Sequence, residues 1–185
     1  MRDLPDLAPL IDHALLDPHQ GLESVQRCCD EARHFGFAGV CLASRWLPQA
    51  RELDVVPDFG ALADGDSRSF CSDLAPIVEL GLPVKVILEV GRLSPAALEL
   101  AVEASIDVGA SLLKTGSGFG PGATPEQVRQ LRQLARGRAG IKASGGISDL
   151  DQALALLEAG AVRLGTSRGV ALIEALRRGE SPPTT

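Results

Sequence analysis

The feature that most limits how this chain can fold is a pattern that recurs through its second half. An apolar stretch of strand length is followed by a loop of glycine and other small residues, and then by a segment with apolar residues at helical spacing. The strand-like stretches are residues 83–90, 110–114, 139–143 and 161–165. The unit recurs roughly every 25–28 residues. Such a repeat is typical of a parallel sheet whose faces are covered by helices.

Capping residues predict where the helices of this half begin. Ser94 is followed by a proline, which is favoured in the first turn of a helix. Thr124 and Gln127 have the spacing of a capping box, in which each side chain bonds the other residue's backbone N–H. Ser148 and Asp151 are predicted to cap the next helix.

The first half of the chain is less regular. Its pattern predicts strands at 10–16, 38–42 and 53–56, and a helix at 23–35. About ten residues, 43–52, separate the second and third of these strands, whereas a parallel crossover needs a dozen or more. One strand–helix unit is therefore abnormally short.

Composition excludes several classes of protein. With 185 residues, the chain predicts one domain over residues 1–180 and a fraying tail at 181–185. A net charge of −6 and 3 % aromatic residues argue against nucleic acid and anionic membranes as partners. The sequence has neither an apolar run of the ~18 residues that a membrane span needs nor a signal peptide, so we expect a cytoplasmic protein.

The cysteines and histidines do not indicate a metal site. Cys28, Cys29, Cys41 and Cys71 show no zinc-finger spacing with any of the three histidines. We expect reduced, partly buried thiols rather than disulfides or metal ligands.

Lysine is rare and occurs at unusual places. Of eighteen basic residues fifteen are arginine, and the three lysines (Lys85, Lys114 and Lys142) all lie in apolar, strand-like stretches. Unlike arginine, lysine can lose its proton and act as a nucleophile. For Lys85, a structural role in pairing with carboxylates such as Glu89 and Asp54 is slightly favoured.

Lys114 and Lys142 are better candidates for catalysis. Each ends a predicted strand and is followed by small residues and glycines, the position of catalytic groups in parallel β/α folds. Two ammonium groups held close together disfavour each other's charge, which would leave one lysine as a free amine at neutral pH. Glycine loops follow both strands and the strand ending at residue 165, and their backbone N–H groups predict a phosphate site.

Seven stretches resemble the deoxyribose-phosphate aldolase family, class I aldolases built as β/α barrels. The stretches run in family order, and those that contain the lysine strand ends are the most specific. They are IDHALL (11–16), FGFAGVC (35–41), ELDVV (52–56), VKVILE (84–89), LKTGSGFGPGAT (113–124), IKASGGI (141–147) and RLGTSRGVALI (163–173).

The resemblance implies roles for individual residues. Lys114 matches the family's Schiff-base lysine, Lys142 its second active-site lysine and Asp54 its active-site aspartate. The implied reaction is reversible cleavage of 2-deoxy-D-ribose 5-phosphate into glyceraldehyde 3-phosphate and acetaldehyde. The implied mechanism needs no metal or organic cofactor.

The family's phosphate site maps onto residues of the glycine loops, with one exchange of charge. The matching positions are Gly118, Gly145, Gly146, Gly165 and Ser167. A family arginine is replaced by Ser148, and a family serine by Arg168, so the positive charge is either relocated or lost.

Other departures lie near the expected site. The family usually has Thr at Ala14, Asn-Pro at Ala43-Ser44, and Ser or Thr at both Gly116 and Ser117. The changes at 14, 43 and 44 would suit a related lysine aldolase with another phosphorylated substrate.

The largest departure is a deletion. The family has a further strand and helix, roughly 35 residues, between positions matching Arg51 and Glu52, and here the flanks join directly. The resemblance therefore implies an incomplete or modified TIM-barrel-type fold with about seven βα units where eight are usual. An alternative function is a weak or inactive homologue with a binding or structural role. Unpaired strand edges at the gap predict a homo-oligomer.

Overall fold

One curled sheet of seven parallel strands forms the centre of the computed structural model. The structure describes residues 5–17, 19–43, 51–57, 59–60 and 66–179. The strands are β1 (Ile11–Leu15), β2 (Gly39–Leu42), β3 (Leu53–Val55), β4 (Val84–Ile87), β5 (Leu112–Lys114), β6 (Gly140–Ser144) and β7 (Arg163–Thr166). The predicted strands are thus confirmed, with bounds one to three residues shorter at some ends and one residue longer at the carboxyl ends of β6 and β7.

Helices alternate with the strands over most of the chain. They are α1 (Leu22–Phe35), α2 (Ser67–Val78), α3 (Pro95–Asp107), α4 (Pro125–Ala135), α5 (Leu150–Glu158) and α6 (Gly169–Arg178), with short 3-10 helices at Ala8–Leu10 and Val90–Arg92. Within the described ranges, no helix is long and apolar enough to cross a membrane.

The strand order shows why the sheet curls. The order is β2-β1-β7-β6-β5-β4-β3, so the first strand pairs with the last one. β2 and β3 are the two edges, and Sγ of Cys41 on β2 lies 3.6 Å from Oδ2 of Asp54 on β3. The predicted incomplete TIM-barrel-type fold with seven units is confirmed, and its seam lies at the predicted deletion.

Apolar and charged side chains occupy opposite faces of the sheet. Successive side chains of a strand point to opposite sides, so Ile141 and Ala143 face the helices while Lys142 faces the barrel interior. The apolar layer between sheet and helices includes Leu113, Ile141, Leu164, Leu98, Leu131, Leu156 and Leu172, all at most 2 % exposed. The hydrophobic core is this outer layer, and the interior is left to polar groups.

Two of the three predicted helix caps are correct. Ser94 accepts a hydrogen bond from the N–H of Ala97, and Thr124 and Gln127 form the capping box. The prediction for α5 is wrong, because its cap is Asp149, whose carboxylate accepts from the N–H of Gln152. A cap must stand directly before the first helical residue to reach that N–H, and Asp151 is already inside the helix.

Helix α2 is not predicted by the patterns described above. Its N-cap is Asp66, which accepts from the N–H groups of Arg68 and Ser69, and Pro76 lies near its end. Phe70 and Leu74 pack into the core with no exposed surface. The predicted tail at 181–185 and the residues 44–50 before the seam lie outside the described residues.

Candidate active site

Five charged side chains from five different strands meet inside the barrel. They are Asp12 on β1, Asp54 on β3, Lys85 on β4, Lys114 on β5 and Lys142 on β6. Register explains the convergence: Asp54 is aligned with Lys85, and Lys114 with Lys142. The three lysines are at most 3 % exposed, which is rare for lysine unless it is paired.

Asp54 joins the two lysines that the sequence singles out. Its Oδ2 accepts hydrogen bonds from Nζ of Lys114 at 2.8 Å and from Nζ of Lys142 at 2.9 Å. The structure therefore brings the three predicted catalytic residues into direct contact, although they are 60 and 88 positions apart in the chain.

A second carboxylate, Asp12, is part of the cluster and was missed by sequence reasoning. Its Oδ2 lies 2.6 Å from Nζ of Lys142, and its Oδ1 accepts from Nη1 of Arg163 at 2.9 Å. Its exposure is 3 %. An aspartate inside an apolar strand was the available signal, because a buried carboxylate needs a cationic partner.

Lys85 is the third lysine of the cluster, and its predicted pairing is confirmed for one carboxylate. Its Nζ forms an ion pair with Oδ1 of Asp54 at 3.4 Å and a hydrogen bond with Glu52. Glu89, the other expected partner, instead accepts from the backbone N–H of Ser117 at 2.8 Å. Lys85 thus neutralises the side of Asp54 that faces away from Lys114.

Charge pairing sets the protonation states of the cluster. Burial alone would raise the pKa of Asp54, but the ammonium groups of Lys142 and Lys114 outweigh it and hold that pKa well below its usual range. Burial alone would lower the pKa of Lys142, but the carboxylates of Asp54 and Asp12 raise it above its ordinary value. Lys142 is therefore held as an ammonium group, and Asp54 is ionised.

The Thr115 hydroxyl and the backbone of Ser144 fix the spacing of the lysine-bearing strands. The hydroxyl of Thr115 donates to the carbonyl of Ser144 at 3.0 Å and accepts from the N–H of Ser144 at 3.0 Å. Thr115 directly follows Lys114, and Ser144 is two residues beyond Lys142. This reciprocal pair holds the two strand ends together at the point where the lysines emerge.

Glu89 shapes the loop that follows Lys114. Its backbone is in the left-handed region (φ 45°, ψ 51°), which is uncommon for a residue with a side chain. Its carboxylate accepts from the N–H of Ser117 and lies beside Gly116 and Gly120. Backbone strain of this kind often occurs near functional sites.

The predicted phosphate residues lie at the carboxyl ends of β5, β6 and β7, but not all in equivalent places. Gly145 (φ 113°) and Gly146 (φ 67°) follow β6 in backbone conformations that favour glycine. Ser167 and Arg168 follow β7 and are exposed, and Arg168 is the residue before helix α6. Gly118 lies apart, in open space in the loop after β5.

Gly165 differs from the other glycines because it lies within β7. A Cβ atom there would be 2.7 Å from Oγ of Ser144 and 3.1 Å from Cε of Lys142. Its evident role is therefore to leave room for the Lys142 side chain inside the barrel.

Several positions that differ from the family pattern carry small side chains. They lie near the seam between β2 and β3 and in the loop that follows β6. Ala14 lies on β1, which pairs with the edge strand β2, and Ala43 directly follows β2; both are half-buried, and Ser44 lies outside the described residues. Ser148 is exposed, and its hydroxyl donates to Oδ2 of Asp149 at 3.4 Å. In the part of the chain that the structure covers, no group of three or more His, Cys, Asp or Glu side chains is placed to hold a metal ion.

Known proteins resemble this chain over nearly its whole length. No family model matches the sequence. A deoxyribose-phosphate aldolase from Thermosynechococcus vestitus is 39 % identical over 212 residues, covering 93 % of this chain and 98 % of that protein. The chain belongs to the deoxyribose-phosphate aldolase family. The resemblance stated from the sequence motifs is thus confirmed.

Two solved aldolases share the fold. The aldolase QR15 superposes with a TM-score of 0.87 at 29 % identity, covering 95 % of this chain and 97 % of that one. The deoxyribose phosphate aldolase from Aeropyrum pernix, described as having a unique tetrameric structure, superposes with a TM-score of 0.82 at 30 % identity, covering 94 % and 92 %.

The alignment also supports a deletion in this aldolase. It spans 212 residues, whereas 93 % of the 185 residues here is about 172, so about 40 aligned positions have no counterpart in this chain. That number is close to one strand with its helix.

Proposed function

We propose that the protein is a class I aldolase that reversibly cleaves 2-deoxy-D-ribose 5-phosphate into D-glyceraldehyde 3-phosphate and acetaldehyde. The observation that carries this proposal is the carboxylate of Asp54 in contact with two buried lysines, Lys114 and Lys142. Family membership supports the substrate, since the relatives are named for it.

Lys114 is the proposed nucleophile. Lys142 is held as an ammonium group by two carboxylates, at 2.9 Å from Asp54 and 2.6 Å from Asp12, whereas Lys114 forms one such contact, with Asp54 at 2.8 Å. The deprotonated Lys114 amine adds to the aldehyde carbon C1 of the open-chain sugar, and loss of water gives an iminium ion.

The iminium ion then serves as the electron sink for cleavage. The C2–C3 bond breaks, its electron pair forms the enamine, and the C3 hydroxyl loses its proton to a base as C3 becomes the aldehyde carbon of glyceraldehyde 3-phosphate. Protonation of the enamine at C2 and addition of water to the iminium carbon release acetaldehyde and restore Lys114.

Lys142 and Asp54 are proposed to move these protons through a water molecule. The ammonium of Lys142 donates to Asp54, which also contacts Lys114, so the three groups form one hydrogen-bonded chain. The lowered pKa of Asp54 and the raised pKa of Lys142 keep the pair ionised between turnovers.

The phosphate group of the substrate is proposed to bind at the carboxyl ends of β6 and β7. Gly145, Gly146 and Ser167 would offer backbone N–H groups and a hydroxyl, next to the first turn of α6. Arg168 stands directly before that helix and would supply the charge that Ser148 no longer provides.

An inactive homologue is the less favoured alternative. Burying three lysines and two aspartates costs stability unless the charges serve a purpose, and apolar side chains of similar volume are often as stable or more so. The complete cluster therefore favours retained catalysis over a purely structural role.

Borohydride trapping tests the proposed reaction. The protein is incubated with 2-deoxyribose 5-phosphate, reduced, digested and mapped by mass spectrometry. We expect a reduced adduct on Lys114 that is absent from Lys114→Leu and that is still formed by Arg27→Gln, a control on the exposed surface of α1. A folded protein without an adduct on Lys114 contradicts the proposal.

We further propose that the enzyme is a cytoplasmic homo-oligomer. The four cysteines are free thiols, as is usual in a reducing compartment. The sheet edges at β2 and β3 are not paired with each other, and such edges favour association. Analytical ultracentrifugation tests the assembly, and a monodisperse monomer contradicts it.

A further inference from the structure

A cleft of about 680 Å³ lies on the outside of the barrel, away from the lysine cluster. Its walls come from α4 and the turn that follows this helix, and its floor from the first residues of β6 and the turn before β7. Because the strands are parallel, the starts of β6 and β7 lie at the edge of the sheet opposite to the proposed phosphate loops. The volume is in the usual range of small-molecule sites.

The cleft is strongly basic in an acidic protein. Arg129, Arg132 and Arg136 line it, three and four positions apart and hence on one side of α4. No aspartate or glutamate is among its described lining residues, although Arg129 forms an ion pair with Glu126 at 3.0 Å, so Arg132 and Arg136 carry the argument. The segment 127–148 contains no acidic residue at all, although the chain has a net charge of −6.

Arg132 lies across a glycine that makes room for it. A Cβ atom on Gly160 would be 2.6 Å from Cδ and 3.0 Å from Nη1 of Arg132. Gly160 also has a φ of 112°, which favours glycine. Among the residues that the structure describes, no carboxylate lies within 4.0 Å of the Arg132 guanidinium, so its charge faces the cleft without an ion pair.

Arg136 occupies a strained position at the end of α4. It is the C-cap residue with φ 52° and ψ 34°, in the left-handed region where glycine or asparagine is usual. The residue after it, Gly137, also has a positive φ. An arginine held in this conformation at the rim of a basic cleft suggests that its guanidinium is needed there.

We propose that this cleft binds a small molecule with a polyphosphate group, of the class of nucleoside di- and triphosphates. Guanidinium groups match phosphate oxygens in geometry and stay charged at every physiological pH. Val162, which is 51 % exposed, adds apolar surface for the rest of such a ligand. The site is separate from the lysine cluster, so the proposal does not depend on the aldolase reaction.

Calorimetric titration of the intact protein at low salt tests the proposal with three probes: ATP, inorganic pyrophosphate and adenosine. We expect ATP and pyrophosphate to bind and adenosine not to bind. The affinity for both anions should fall at least tenfold in Arg132→Gln and stay unchanged in Arg27→Gln, an exposed arginine on α1. Unchanged affinity in Arg132→Gln, or no binding of either anion to the wild type, overturns the proposal.

Two further measurements separate this cleft from the proposed phosphate loops. Excess 2-deoxyribose 5-phosphate should leave ATP binding unchanged, and displacement of ATP would overturn the assignment. Arg136→Gly should weaken ATP binding at least threefold and raise Tm by about 2–4 °C, because glycine relieves the strain. A lower Tm in this variant would contradict the strain at Arg136. Arg132→Gln should keep wild-type aldolase activity.

Discussion

Nζ of Lys142 lies 2.6 Å from Oδ2 of Asp12, closer than the 2.9 Å that separates it from Oδ2 of Asp54. Lys142 is therefore held between two carboxylates, whereas the neighbouring Lys114 contacts one of them at 2.8 Å. This asymmetry distinguishes two lysines that the strand register places side by side.

Asp12→Asn should remove one of the two carboxylates that stabilise the Lys142 ammonium group and so change the pH dependence of kcat. The carboxylates raise the pKa of Lys142, so losing one lowers it, and the alkaline limb of the kcat profile should move to lower pH. We expect kcat to fall most on the alkaline side of the profile, where Lys142 loses its proton in the variant. Asp17→Asn, on an exposed loop, is the control, and an unchanged alkaline limb in Asp12→Asn would exclude this role.

Asp54→Asn should make the free energy of unfolding less dependent on pH in the acid range. The pKa of Asp54 is lowered in the folded state, so the unfolded chain takes up this proton first as the pH falls below about 4. The stabilisation is therefore present near neutrality and is lost with falling pH. Urea unfolding between about pH 4 and pH 2 should show a shallower loss in Asp54→Asn than in Asp151→Asn. Equal slopes would argue against the ion-pair assignment.

Gly165→Ala should perturb the active site from within the sheet. The added methyl group would be 2.7 Å from Oγ of Ser144 and 3.1 Å from Cε of Lys142, so one of them must move. We expect a loss of about 1–3 kcal/mol in unfolding free energy and a drop in kcat. Gly21→Ala is the control for kcat, since no atom lies within 4 Å of the new methyl group; its stability is not compared, because Gly21 is the N-cap of α1, where alanine is disfavoured. Equal kcat in both variants would refute the packing argument.

Arg168→Ser should act on the phosphate end of the substrate alone. Removing the charge beside the start of α6 should lower kcat/KM for 2-deoxyribose 5-phosphate about tenfold or more. It should leave kcat/KM for unphosphorylated 2-deoxyribose nearly unchanged. Steady-state kinetics with both sugars measures this difference. An equal loss of kcat/KM for both would show that Arg168 does not contact the phosphate group.

The sequence predicted the parts of the site that local signals carry. Lys114 and Lys142 were recognisable because lysine is rare in this chain and because both lie in apolar strands followed by small residues. The prediction that each ends its strand is correct for Lys114 but wrong for Lys142, which is the third of the five residues of β6. Asp12 and Arg163 were missed, since their ion pair joins positions 151 residues apart and no local pattern reports such a contact. The wrong cap at α5 has a similar cause. Ser148, Asp149 and Asp151 are all residue types that cap helices, and which of them is the cap depends on where the helix begins.

Pairing of β1 with β7 makes assembly of this active site a late event in folding. Asp12 is brought beside Lys142 and Arg163 only when the first and last strands of the chain pair, which requires contacts between residues far apart in sequence. Topologies dominated by such contacts fold slowly, because chain closure must precede the stabilising interactions. A nascent chain that lacks β7 therefore has neither the strand that pairs with β1 nor the arginine that neutralises Asp12, and catalytic competence depends on the last quarter of the molecule.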